Sequence, residues 1–149
     1  MNALFAFLHH LAAFMLVSTL VVEMALLKGP LDLTRARQLQ RADLLYGLSA
    51  GLILVIGLLR VFYYEKGAAY YGHNAFFMAK MTLFGLIGIL SIYPTVVFLT
   101  WGKALKQGVM PDIAEGLITR LRGILMAELA GVIGILFCAA MMAKGYGML

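Results

Sequence analysis

Four long apolar stretches, roughly residues 3–27, 43–64, 76–101 and 119–143, divide the chain, with short polar segments between them. At about 1.5 Å of rise per residue, each is long enough to cross a hydrocarbon core about 30 Å thick. Short connections make successive helices antiparallel neighbours. The pattern therefore predicts an all-α, four-transmembrane-helix antiparallel bundle, with residues 1–149 forming a single integral membrane domain. Composition agrees: 63% of residues are apolar and 13% charged, outside the soluble globular range, and no stretch remains for a soluble domain.

Helix breakers place the ends of these runs. Gly29-Pro30 stops the first, because proline cannot continue the hydrogen-bond ladder. Residues 31–42 then read as a short polar connector, an interfacial helix whose arginines either meet lipid phosphate or, at Arg41, turn inward to Glu23 or Asp43. In the second run Asp43, Gly47, Ala50, Leu54, Gly57 and Val61 share one face. The GxxxG spacing of Gly47 and Gly51 suits close packing against protein, and Asp43 is placed to cap the helix start. The loop from 65 to 74 holds Tyr70, Tyr71 and His73, read as interfacial anchors and a solvated histidine. Pro94 predicts a kink in the third helix, with Ser91 or Thr95 meeting the freed carbonyl. A polar linker broken by Pro111 leads to the fourth run, which Arg120 and Arg122 enter.

Charge sets the orientation. The net charge is +5, and Lys28, Arg35, Arg37, Arg41, Lys103, Lys106, Arg120 and Arg122 all fall in or beside the first and third loops. By the positive-inside rule these loops are cytoplasmic and both termini lie outside, in a bacterial inner membrane. Topology thus accounts for the positive charge, and nothing calls for nucleic acid. The first run lacks a preceding positive residue and a small-x-small cleavage site, so it reads as a retained helix and not a signal peptide. The single Cys138 excludes an intrachain disulfide and reads as a small apolar packing residue.

Ionisable groups inside the runs are the candidate chemistry, because charge is costly in hydrocarbon and is placed there for function. Helix one carries His9, His10 and Glu23. At about 100° per residue, His9, Leu16, Leu20 and Glu23 form one stripe, and His10 points elsewhere. Glu128 falls near mid-span, where it survives either protonated or within a hydrogen-bonded network. Antiparallel packing brings His9, His10, Arg60 and Lys80 to one level. Snorkelling accounts for any one of them, and a shared anionic ligand for several at once. No hydrolase motif occurs, and three histidines are too few and too scattered for a dedicated zinc site. One imidazole, with basic groups for propionates, suffices for haem.

The segments Phe7-Leu8-His9-His10-Leu11, Arg41-Ala42-Asp43-Leu44-Leu45-Tyr46, Phe77-Met78-Ala79-Lys80-Met81-Thr82-Leu83 and Arg120-Leu121-Arg122 follow a familiar order. It resembles that of HemJ-type protoporphyrinogen oxidases and copper-resistance D membrane proteins, and of small four-helix bacterial membrane proteins related to them. The resemblance implies a haem b in the bundle, His10 as its iron ligand, and Lys80 as the family's helix-three lysine. Porphyrin or haem would be the partner, beside the lipid bilayer; separately, the small-residue face suggests a second copy in a homodimer. The helical stripe favours His9 as the inward imidazole, so both histidines stay open as the metal ligand.

These readings converge on a haem-associated membrane redox protein that oxidises a porphyrinogen or other small reductant. His10 or His9 would be axial, Lys80 and Arg60 near the propionates, and Glu128 a proton relay with Glu23. A proton or small-ion carrier using Glu23 and Glu128, and an accessory subunit of a membrane complex, are the competing expectations.

Overall fold

The computed structural model describes residues 1–64 and 66–149; Glu65, the first residue of the predicted 65–74 loop, lies outside them. Its long helices are α1 (Asn2–Leu26), α2 (Leu33–Leu59), α4 (Ala75–Thr100) and α6 (Leu117–Ala143), with one-turn helices α3 (Ala68–Gly72) and α5 (Gly102–Lys106). No strand is formed among the described residues beyond an isolated bridge between Asn74 and Met148. All four long helices are long and apolar enough to cross a membrane, with mean hydropathy of 2.0 to 2.3 in their most apolar windows. Large side chains such as Phe14, Leu44, Ile89 and Leu99 point outward, as they must in a bundle whose solvent is lipid.

The helices pair as two hairpins, α1 along α2 and α4 along α6, which meet more thinly through α2 with α4 and α1 with α6. Glycine sets the closeness of the second pair: a Cβ at Gly131 would lie 2.7 Å from Cδ1 of Ile87. The two ends of the bundle differ. The end carrying the 27–32 and 107–116 connections, here the loop end, holds a continuous core of Leu27, Leu39, Phe98, Trp101, Leu105, Leu121 and Leu125. Two hydrogen bonds tie the hairpins together there, from Arg37 Nη2 to Leu105 O (2.9 Å) and from Gln40 Nε2 to Phe98 O (2.6 Å).

Four sequence expectations change. Residues 33–42 are not a separate connector but the first turns of α2. They contain good helix formers and no glycine or proline, and Ala36, Leu39 and Ala42 supply a buried stripe that continues through Tyr46 and Ser49. Asp43 therefore does not cap a helix. Asp32 does, its side chain accepting from Arg35 N at 2.8 Å, while Asp43 is buried within α2 and accepts from Thr95 Oγ1 at 3.1 Å. The hydroxyls near Pro94 do not meet the carbonyl it frees: Ser91 Oγ donates to Gly88 O, and Thr95 is committed to Asp43. A serine hydroxyl reaches back three or four residues, which puts the Leu90 carbonyl outside the range of Ser91. The GxxxG face is not packed within the chain, since nothing lies within 4 Å of a Cβ built at Gly47 or Gly51. The buried stripe runs through Tyr46, Ser49 and Ile56, and these glycines turn past its edge.

At the opposite, terminal end, Asn74 caps α4 by accepting from Phe76 N (3.0 Å) and Phe77 N (3.1 Å). Its amide also donates to Tyr146 O (3.0 Å), and Leu149 N donates to His73 O (2.8 Å), so the C-terminal residues lie across this end. Gly147 takes φ +90°, and a side chain there would strike the Phe76 ring.

Candidate functional site

The terminal half of the bundle is hollow where the loop half is filled. A cavity of about 210 Å³ extends from His9 and His10 past Leu16, Ile53 and Phe84 to Tyr46. A second of about 80 Å³ lies toward Leu54, Leu58 and Phe77. The two share His9, Ile53, Lys80, Phe84 and Ile135. The first reaches exposed residues of α1 and α6, His10 and Leu136, and the second exposed residues of α2, Leu54 and Leu58. Together they form a slot between the two hairpins, lined mostly by apolar side chains and crossed by one imidazole and one ammonium.

His9 stands at the centre of this slot. Its Nδ1 is buried and has no hydrogen-bond partner among the described residues. Gly57 on α2 makes room for the ring, since a Cβ there would come within 3.2 Å of its Cε1. Arg60, Lys80 and His10 are its charged or chargeable neighbours. Lys80 has Arg60 and Cys138 as neighbours, and its Nζ sits 5.4 Å from the centroid of the Phe77 ring. The four basic groups at one level in the sequence are therefore one cluster in space. His10, the next residue on α1, is exposed, and its Nδ1 is engaged with Ala6 O at 2.6 Å. The inward imidazole is the one selected by the helical stripe. His73 is exposed in the loop with Nδ1 against Ala69 O, and it takes no part in the slot.

Glu23 and Glu128 do not join this cluster. They lie deeper toward the loop end, each 1% exposed, with Asp43 as a charged neighbour of both. Oε1 of each glutamate has no hydrogen-bond partner among the described residues. Tyr46 has all three carboxyl groups as electrostatic neighbours and also lines the larger cavity, which makes it the link between the two groups. Sequence reading missed Tyr46 as a site residue and gave Asp43 a capping role or a place as the partner of Arg41. The available signal was the spacing Asp43, Tyr46, Ser49, one polar residue per turn along a helix otherwise apolar beyond residue 43. Cys138 is buried, consistent with a packing role. Among the described residues, no group of three or more His, Cys, Asp or Glu side chains is placed to hold a metal ion by itself.

No curated protein and no solved structure matches the chain. A family model does: residues 1–147 match the family described as "Predicted membrane protein (DUF2214)". Four helices long and apolar enough to cross a membrane agree with that description, and the chain belongs to this family of membrane proteins.

Proposed function

We propose that the protein is a haem b-associated membrane redox protein, with His9 as the iron ligand inside the bundle. The observation that carries this reading is the unpartnered, buried Nδ1 of His9 in a slot it shares with Lys80. A buried polar atom without a partner is uncommon, and an imidazole that lines a cavity while its Nδ1 lacks a hydrogen bond suits a metal centre. The shape fits as well. A slot between two hairpins would suit a flat macrocycle, and its two cavities together lie just below the roughly 300–1,000 Å³ typical of cofactor sites. Its openings on both sides would leave the edges of the ring to lipid. Lys80 in the slot, with Arg60 as its neighbour, would hold propionate carboxylates at the terminal end. Haem bound there would supply one-electron exchange with a porphyrinogen or other small reductant.

The remaining residues serve this reading by position. Gly57 keeps α1 and α2 close enough to hold the His9 ring, and Phe84, Ile53 and Ile135 exclude water from its surroundings. The outward Gly47 and Gly51 offer a close-packing surface for a second copy. The charge distribution supports an orientation with both termini outside, and a bacterial inner-membrane location belongs to the same proposal. The test is an oxidised-minus-reduced spectrum of the purified protein with haem extraction, for wild type, His9→Ala and His10→Ala. The reading expects a Soret shift in wild type that is lost in His9→Ala. A wild type without extractable haem overturns it.

A further inference from the structure

The haem reading gives Glu128 and Glu23 a relay of protons but neither a route for it nor a part for the buried Asp43. Glu23 on α1, Asp43 on α2 and Glu128 on α6 are mutual electrostatic neighbours, and the two glutamates each hold one oxygen without a partner among the described residues. An unsatisfied carboxyl is costly inside a protein and more so in a bilayer, where such groups line ion and proton pathways. The space around the cluster is the second, independent observation. On the terminal side, Tyr46 lines the cavity that contains His9 and Lys80. On the loop side, Asp43 and its partner Thr95 line a groove of about 1090 Å³ between α2 and α4, with Arg37, Arg41, Lys103 and Lys106 on it toward the loops and the outward-facing Leu44, Leu48 and Leu99 toward lipid. Asp43 and Tyr46 are one helical turn apart on α2, so the carboxyl cluster lies between a groove in the loop half and a cavity in the terminal half of the bundle.

We propose that this cluster is a proton-transfer station connecting the loop-end groove to the terminal cavity. Asp43 takes a proton from water in the groove and gives it to a carboxylate oxygen of Glu23 or Glu128. The Tyr46 hydroxyl then donates its proton into the cavity and is reprotonated by the glutamate. Each step breaks one O–H bond and forms another, and no oxidant or reductant is needed. The charges on either side select the proton over other ions. Basic side chains at both openings repel hydrated cations, the carboxyl groups between them repel anions, and no metal-holding group forms among the described residues. A proton can pass by exchange along hydroxyl and carboxyl groups without an ion crossing the basic rims.

The inference goes beyond the haem reading and is tested without it. Protein prepared free of haem is reconstituted into phosphatidylcholine–phosphatidylglycerol vesicles containing a pH-sensitive dye, and a potassium diffusion potential is applied with valinomycin. Wild type should acidify or alkalinise the lumen at least tenfold faster than protein-free vesicles. Asp43→Asn and Glu128→Gln should fall to the protein-free rate. Tyr46→Phe, which keeps the ring and its packing, should lose most of the flux even if a carboxyl variant fails to fold. Wild-type flux at the protein-free rate, or full flux in Tyr46→Phe, overturns the proposal, and neither result bears on whether haem binds.

Discussion

Toward the loops, Leu39, Phe98, Trp101, Leu121 and Leu125 fill the space between the helices, whereas toward the termini the same helices enclose two cavities around His9 and Lys80. The filled half is also cross-linked, by Arg37 and Gln40 reaching backbone carbonyls on the other hairpin. The hollow half is held by its rim: the Asn74 cap, the C-terminal residues bonded across it, and the stack of Phe5 on Tyr64 at 4.7 Å. In lipid, apolar side chains gain little by choosing protein over acyl chains, so stability rests on tight packing and on satisfied polar groups. The loop half has both, which frees the terminal half to keep space and unpartnered polar atoms. Between the halves lie the three carboxyl groups, where packing ends and space begins.

Truncations should separate the halves most sharply. Leu121→Ala or Leu125→Ala removes a fully buried side chain from the packed half and should cost about 2–5 kcal/mol. Phe84→Ala beside an existing cavity should cost distinctly less, as read by unfolding in detergent. Equal losses would mean that the terminal half is packed as tightly as the other. Asn74→Ala removes a helix cap and the anchor of the C-terminal residues together, so a loss of about 1–2 kcal/mol is expected. It should appear as faster proteolysis of the last five residues, with the loop half unchanged. Gly57→Ala presses a methyl on the His9 ring and, with overpacking costing about 1–3 kcal/mol, should weaken hemin binding more than it lowers stability. The smallest effect belongs to the outward face. Gly47→Ala should change unfolding by no more than about 0.5 kcal/mol, and only size-exclusion of a dimer should register it.

The architecture was legible because hydrophobic run length is a direct record of bilayer thickness, and the runs at 3–27, 76–101 and 119–143 lie within two residues of α1, α4 and α6 at every end. The start of α2 was not legible by the same measure. Leu33 to Ala42 is polar enough to end a hydrophobic window, yet it is helical because its few apolar residues fall on one face of the packed loop end. For the site, the stripe of His9, Leu16, Leu20 and Glu23 could be read from periodicity alone, and these residues do turn inward, His9 partly buried and the others fully. What periodicity could not supply was depth. It grouped the glutamates with the histidines as one chemistry, whereas the structure separates them into two centres joined by Tyr46. Nor could it reveal that Asp43 faces a groove, because that depends on which side of α2 the α4 helix approaches.

Placing His9 inside the slot and His10 outside it is the assignment on which the redox reading turns, and a hemin titration addresses it most directly. Protein prepared without haem is titrated with hemin and followed by absorbance, for wild type, His9→Ala and His10→Ala. The account predicts one hemin per chain for wild type and His10→Ala, with affinity lowered at least a hundredfold in His9→Ala. Binding that survives in His9→Ala and disappears in His10→Ala, or no saturable binding to wild type, would contradict it.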